Sequence, residues 1–401
     1  MVKFAVQYYK MINLRKPTFF YLIMISIFLQ NVKCSKDFSP TDSNAESEEE
    51  FEIVYNEAAY YDTTYDANIK GIYAYKRDDH NLYYADYDTF KLELIEGCQD
   101  EIMTDMLLND THDLLLACSF HRLYFVDTNS NQKVGEIEVP DSYADLGDNI
   151  VPGARKLLPC QWSEDHCILV CRSVFLVNLN TLSLERIIWD YETFPTESWI
   201  HHLSLGDDGR SLYVRLTYWG SIPIDDTYSW GGLLQKIARI DLRTGQFESI
   251  HDYPKEDISA KILYASNDFL MVYNFHTITR FSVHTEKLID SFDIRLPKYL
   301  GENISNYLTE AYSFGSHLII ADSNLSFYLL YPDRKELELY MALPYHSYYG
   351  ILYQKLKGGD VYACLSVGAD DRIKIINLSQ KKIIRDLNRN EINLFVLKEG
   401  D

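Results

Sequence analysis

One phrase recurs seven times along this 401-residue chain and constrains its fold more than any other feature. It is clearest in residues 237–250, IARIDLRTGQFESI. An apolar strand closes on an aspartate, a Thr-Gly turn follows, and a second strand starts at once. The residues that close the first strand of each copy are Asp86, Asp127, Asn178, Asp241, Ser282, Tyr331 and Asn377. The intervals between these anchors are 41, 51, 63, 41, 49 and 46 residues. Upstream of most anchors lies a further strand pair, as in DMLLNDTHDLLLACSFHRLYFVD (Asp105–Asp127), so each unit reads as four short antiparallel strands. Pro140, Pro195, Pro254, Pro297 and Pro344 each fall just after a fourth strand, where a residue that cannot donate to a ladder belongs. The 32 tyrosines suit the pleated, half-buried surface of a sheet.

A single four-stranded unit cannot bury both of its apolar faces, whereas units stacked around an axis can. The expected fold is therefore all-β, a single seven-bladed β-propeller over residues 51–401. Two β-sandwiches, the competing arrangement, leave the seven matching phases unexplained. In its strand–Asp–turn–strand phrase, best seen in RIDLRTGQ (Arg239–Gln246), the chain resembles the broad WD40-like and YVTN-like group of propellers. That resemblance implies architecture only. No Gly-His opens the units, Trp189-Asp190 lies on a fourth strand, and no functional residues carry over. The first unit offers three strands, while INLFVLKEG (Ile392–Gly400) is spare. This terminal strand is expected to take the innermost place of the first blade and close the ring, with FEIVYN (Phe51–Asn56) as its competitor.

The N-terminus reads as an address. Lys10, Arg15 and Lys16 precede the uncharged run Thr18–Leu29, and Val32 and Cys34 stand at the −3 and −1 positions of a cleavage point. A basic flank with a short apolar core describes a secretory signal peptide over residues 1–34. The run is well short of the roughly 20 residues that span a bilayer, so no stable membrane insertion is expected after cleavage. Residues 35–50 are acidic and poor in large apolar side chains, which predicts a disordered leader. The whole chain carries a formal charge of −21; removing five basic residues with the signal leaves 33 Lys+Arg against 59 Asp+Glu, or −26. Such a surface repels nucleic acid and anionic membranes. A secreted or lumenal setting permits disulfides and glycans. Cys160 and Cys167 flank a polar turn and form a candidate bridge, and together with Cys171 and His166 they are also a weak zinc candidate whose fourth ligand is missing. Asn109, Asn303, Asn324 and Asn377 head Asn-x-Ser/Thr triplets.

Catalytic signatures are absent from the sequence: there is no GxSxG, phosphate loop, HExxH or GxGxxG. His201 and His202 are adjacent, and on a regular strand they point to opposite faces. The informative stretch is WGSIPIDDTYSWGG (Trp219–Gly232), an apparent loop inserted between the second and third strands of the fourth unit. It brings Trp219, Asp225, Asp226, Tyr228 and Trp230 together beside Tyr218, and aromatic side chains in a loop mark a contact surface. Long, tyrosine-bearing connections (Pro140–Arg155, Pro297–Tyr312 and Pro344–Tyr353) would share its face. The expected function is a secreted, non-enzymatic propeller. Its acidic, Tyr/Trp-rich face would bind a protein, a glycan or a small cationic ligand, and no cofactor is called for. The alternative is a secreted propeller enzyme, such as a lyase, hydrolase or metal-dependent oxidoreductase, with carboxylates at the channel mouth.

Overall fold

The computed structural model describes residues 66–400 except 67, 101, 110, 112, 141–154, 194–197, 224–228, 254–260, 275–276, 294–307, 309–310, 315–316, 323–325, 332–334, 344–347, 357, 368–371 and 389–391. The chain separates into two units, Met1–Ile53 and Val54–Asp401, and every described residue belongs to the second. The signal peptide, the leader and Phe51–Asn56 thus lie outside the described residues.

The described strands form seven four-stranded antiparallel sheets. Blade 1 comprises β1 (Ile69–Lys76), β2 (Asn81–Asp86), β3 (Leu92–Gln99) and, innermost, β28 (Ile392–Glu399). Blade 2 runs from β4 (Met103–Leu108) to β7 (Gln132–Glu138), and blade 3 from β8 (Lys156–Pro159) to β11 (Ser183–Trp189). Blade 4 runs from β12 (Ser198–Leu205) to β15 (Phe247–Tyr253), and blade 5 from β16 (Lys261–Ala265) to β19 (Leu288–Asp293). Blades 6 and 7 run from β20 (Tyr312–Phe314) to β23 (Glu336–Ala342) and from β24 (Tyr348–Lys355) to β27 (Lys382–Asn388).

The blades close into a ring, and the apolar packing proves it. Seven clusters of buried side chains bridge neighbouring blades, whereas an open arc of seven would have six. One joins Tyr73 and Leu82 of blade 1 to Leu115 and Tyr124 of blade 2. The seventh joins Tyr362 and Ile373 of blade 7 to Ile72 and Ala85 of blade 1, with Phe395 and Leu397 of the terminal strand inside it. As expected, β28 pairs antiparallel with β1, from Ile69↔Glu399 to Lys76↔Ile392. Gln354 on β24 latches this strand from the other side: its Nε2 donates to Leu397 O and its Oε1 accepts from Leu397 N, both at 2.8 Å.

The anchors have a physical reason. Their side chains accept hydrogen bonds from backbone amides two or three residues on, the Asx-turn device. Asp86 takes Asp88 N and Thr89 N, Asn178 takes Asn180 N and Thr181 N, and Asp241 takes Arg243 N and Thr244 N. Asp127, Ser282 and Asn377 do the same to Ser130, Thr285 and Gln380. Tyr331, the exception in chemistry, is followed by residues outside the description. In every blade the residue four after the anchor has positive φ: Phe90, Asn131, Leu182, Gly245, Glu286, Lys335 and Lys381, between 49° and 74°. The repeat phase is therefore a backbone phase. Six blades make the same turn closed by one left-handed residue, and in blade 6 that closing residue, Lys335, is the described part of it.

Candidate functional site

The described ring offers two places for function, an extension of blade 4 and the innermost strands. In blade 4, β13 (Ser211–Pro223) and β14 (Ser229–Asp241) are 13 residues each, against five to eight for the second and third strands of the other blades. Their ladder continues from Ser211↔Asp241 to Pro223↔Ser229 without a register shift. β12 accompanies β13 only as far as Ser198↔Tyr218, and β15 accompanies β14 only as far as Gln235↔Tyr253. Among the described residues, Trp219–Pro223 and Ser229–Leu233 thus continue the ladder as a two-stranded ribbon, about 17 Å long at 3.4 Å per residue. It extends from the end where β12 begins, the side of the connection arriving from blade 3.

This corrects the expected loop. The insertion is mostly paired strand, because the β-branched and aromatic run continues across Gly220 and the glycine pair Gly231-Gly232 without breaking the ladder. Trp219 stands opposite Leu233 and Trp230 opposite Ile222. Asp225, Asp226 and Tyr228 lie outside the described residues. Tyr218 belongs to the blade body: it is half-buried with the Lys236 ammonium 5.4 Å from its ring, and burial raises its hydroxyl pKa.

The innermost strands carry a second pattern. Counting four residues back from an anchor and crossing two ladders inward reaches one residue of the innermost strand. In blade 4 the path is Ile237↔Arg215↔His202. In blade 3 it is Val174↔Val170↔Lys156, and in blade 5 Ile278↔Tyr273↔Lys261. The same path gives Asp105 in blade 2, Leu394 in blade 1 and Gly350 in blade 7. The blade 6 position falls outside the described residues. One tier therefore holds Lys156, His202 and Lys261 on three consecutive blades, with Asp105 next to Lys156. Asp105 is buried, and its Oδ2 accepts Leu157 N at 2.8 Å.

The electrostatics agree with the placement. Burial, then the charges of Arg215, Lys261, His201 and Lys156, lower the His202 pKa to about 3. Burial and Arg215 lower that of His201 to about 4. Arg215 is buried at 8% exposure directly behind His202. A register shift between Ile200 and His202 makes His201 the extra residue of a β-bulge, so the strict alternation expected of adjacent residues does not hold at this pair. Bulges of this kind recur at Thr104, Tyr349 and Asn393, each just before the tier residue of its own strand. The chain leaves its regular ladder where it reaches the axis.

The other expected sites resolve differently. No disulfide joins Cys160 and Cys167, so the expected bridge is not formed. Pro159 pairs with Cys167, so Cys160 is one residue out of step. Accordingly Cys160 packs between blades 3 and 4, and Cys167 between blades 2 and 3. A one-residue offset in a strand reverses the face. His166 uses both ring nitrogens: Ser163 Oγ lies 2.7 Å from Nδ1 and Glu185 Oε2 2.7 Å from Nε2. The order Ser–His–Glu has the look of a relay, but Glu185 is 44% exposed and also accepts Asn178 Nδ2. The group braces a turn against the anchor of its own blade. Among the described residues no three His, Cys, Asp or Glu side chains are placed to hold a metal ion.

Of the glycan candidates, Asn303 and Asn324 lie outside the described residues. Asn109 donates to Thr111 and Asp113 at 2.7 Å within its turn. Asn377 is fully buried, with Nδ2 donating to Asp360 and Tyr362, an arrangement that a glycan on that nitrogen would break.

No family model matches the chain, and no curated protein matches it in sequence. Solved structures similar to it include the dihydro-heme d1 dehydrogenase NirN in complex with DHE, at 11% identity and a TM-score of 0.48, covering 83% of this chain and 76% of that one. An oligogalacturonate lyase from Vibrio parahaemolyticus has 14% identity and a TM-score of 0.46, covering 77% and 84%. The β-propeller domain of Myceliophteria thermophila Cps50 (Swd1) has 14% identity and a TM-score of 0.45, covering 71% and 85%. At these values the fold assignment stands on the chain's own ladders and interfaces: it is a seven-bladed β-propeller.

Proposed function

We propose that this chain is a secreted, non-enzymatic binding propeller that takes a protein partner on the ribbon of blade 4. The observation that carries the reading is the ribbon itself. Two-stranded ribbons are marginally stable on their own in water, and among the described residues no third strand accompanies this one past Tyr218 and Gln235. Its two edges and its Trp219, Tyr228 and Trp230 suit an extended segment of another chain, which would add to an edge and pack against rings. Asp225 and Asp226, which fall between its two strands in sequence, favour a basic segment. A glycan would use the rings but not the edges, and a small cation would use neither. Secretion rests on the N-terminal segment, with its basic flank and short apolar run.

The test replaces residues 219–233 by an Asn-Gly turn between Tyr218 and Leu234, which keeps the blade's own pairs. Partners cross-linked to the full chain in secretory cells should be lost from this variant while its melting temperature stays within about 2 °C. Loss of folding without loss of partners would instead assign the ribbon to stability, and an unchanged partner set would overturn the reading. Recovered protein whose N-terminus follows Cys34 supports the address, and a retained Thr18–Leu29 segment contradicts it.

A further inference from the structure

The geometry points to a carboxylate-binding site in the seam between blades 3 and 4: we propose that Arg172, with the hydroxyl of Ser198 beside it, holds the carboxylate of a small acid or of a chain terminus. This inference is independent of the ribbon. It begins with the turn between β9 (His166–Val170) and β10 (Val174–Asn178), the second and third strands of blade 3. Arg172 sits in that turn at 8% exposure. Its Nε donates at 3.4 Å to the carbonyl of Ser198, the first residue of β12 in blade 4, and its Cζ lies 3.7 Å from the centre of the Tyr191 ring. Ser173 fixes that ring: its Oγ accepts Tyr191 N and donates to Asp190 Oδ1, both at 3.3 Å. The ribbon extends the equivalent turn of blade 4, so the seam opens on the same end of the ring.

These contacts satisfy the face of the guanidinium and one of its donors. The ring attracts the plane of the cation, and Nε uses one of the five N–H groups. Among the described residues those on Nη1 and Nη2 have no partner, and no carboxylate pairs with Arg172. Asp190, on the same connection as Tyr191, is committed to Ser173 Oγ and to Glu192 N. Ser198 adds a second unmet group: it is 1% exposed and its hydroxyl has no partner. Enclosing a cation with its donors unmet is costly, and the chain does otherwise elsewhere. Lys374, at 1% exposure, is met by Asp386 at 2.8 Å, and Arg280 is gripped by both oxygens of Asp290 at 2.7 and 2.5 Å. With 59 Asp+Glu against 38 Lys+Arg, the sequence has carboxylates to spare, yet places none here. The open edge is the planar Nη1–Nη2 fork, which matches the two oxygens of one carboxylate. A single positive charge, with the Asp190 carboxylate one residue before the ring, suits a monoanion better than a dianion. The Ser198 hydroxyl can turn to donate to the same group.

The carboxylate can belong to a free small acid or to the C-terminus of a peptide. Ligand-observed NMR titrations of the full chain, at neutral pH and constant ionic strength in chloride, therefore use three probes. These are sodium acetate, N-acetyl-trialanine with a free C-terminus, and the C-terminal amide of that peptide. Saturable binding of the two acids is expected, and none of the amide. Arg172→Lys keeps the charge without the fork and should weaken binding about tenfold. Ser198→Ala should weaken it about threefold. Arg172→Met keeps an apolar stem against Tyr191 and should bind neither acid, with an unfolding midpoint within about 2 °C of the parent's. Should that variant fail to fold, Arg172→Lys alone decides. Tighter binding of the peptide than of acetate assigns a chain terminus, and acetate binding at least as tightly assigns a free acid; either supports the site. A lowered midpoint with unchanged binding assigns Arg172 to packing and overturns the proposal. It also fails if neither acid saturates, if the amide binds as tightly as the free peptide, or if Arg172→Lys binds as the parent does.

Discussion

At the residue scale, the left-handed position four after each anchor is the most exposed to test. Only blade 4 fills it with glycine, Gly245 at φ 74°, and an added Cβ there would stand 2.0 Å from Ile188 O. Gly245→Ala should therefore cost about 2–3 kcal/mol, combining strain at positive φ with a backbone clash. Glu286, at φ 57° on an exposed turn, is the converse case. Left-handed strain for a residue with a Cβ is about 1–2 kcal/mol, and the glycine's freer unfolded chain returns about 0.4–1 of it. Glu286→Gly should then stabilise by about 0.5–1 kcal/mol in urea unfolding; a loss of stability would show that the turn is held by contacts rather than by its backbone. The two axial histidines make a separate prediction. Unfolded, each binds a proton near 6.5; folded, His201 waits until about 4 and His202 until about 3. The unfolded state thus takes up protons first, and their contribution, complete above pH 6.5, is lost as the pH falls toward 3. Each gives a slope of up to about 1.4 kcal/mol per pH unit. His202→Gln should flatten the stability curve between pH 6 and 4 relative to the parent, and parallel curves would show that this imidazole titrates normally.

Elements show what sequence could and could not reveal. The third-to-fourth-strand turns were legible because their chemistry is local: an Asp, Asn or Ser that closes a strand and bonds its own next amides leaves a readable phrase. The tier of Lys156, His202 and Lys261 was not, since it depends on counting across two ladders and on a bulge at His201 that nothing in IHHL announces. The ribbon is legible as an insertion but reads as a loop, because Gly220, Pro223 and Gly231-Gly232 are turn residues in isolation and only the register shows them paired. The cysteine pair failed by a single residue, since spacing across a turn cannot tell which face each side chain takes. That correction carries its own test. Cys118, Cys167 and Cys364 sit among apolar side chains, and burial raises each thiol pKa, that of Cys118 to about 12. Buried thiols with so little thiolate react slowly. In the native protein they should resist iodoacetamide, and on denaturation without reductant all six cysteines from Cys98 to Cys364 should label. A Cys160–Cys167 peptide surviving as a disulfide would contradict the packing.

For the whole molecule, the question is what a ring gains from its last strand. Each blade buries its faces only against neighbours, so stability resides in seven interfaces, and the terminal strand takes part in two of them. Ile392, Phe395 and Leu397 belong to the cluster between blades 7 and 1, and Val396 to the one between blades 1 and 2. Fully burying a side chain of this kind contributes about 1.5–3 kcal/mol, so these four outweigh much of the 5–15 kcal/mol that holds a typical domain together. Deleting Ile392–Asp401 also strips β1 of a full ladder and leaves an open edge beside two half-exposed clusters, the recipe for edge-to-edge aggregation. Gln354 permits a graded version. Its amide makes two hydrogen bonds to Leu397, and Gln354→Ala leaves the strand in place while removing the latch. Each such bond contributes about 0.5–1.5 kcal/mol net, so this variant should lose about 1–3 kcal/mol and stay soluble. The truncation should unfold or aggregate outright. The order matters: a truncated chain that melts like the parent would mean that the ring does not depend on closure. A Gln354→Ala chain as damaged as the truncation would place the closing energy in the latch instead of the strand.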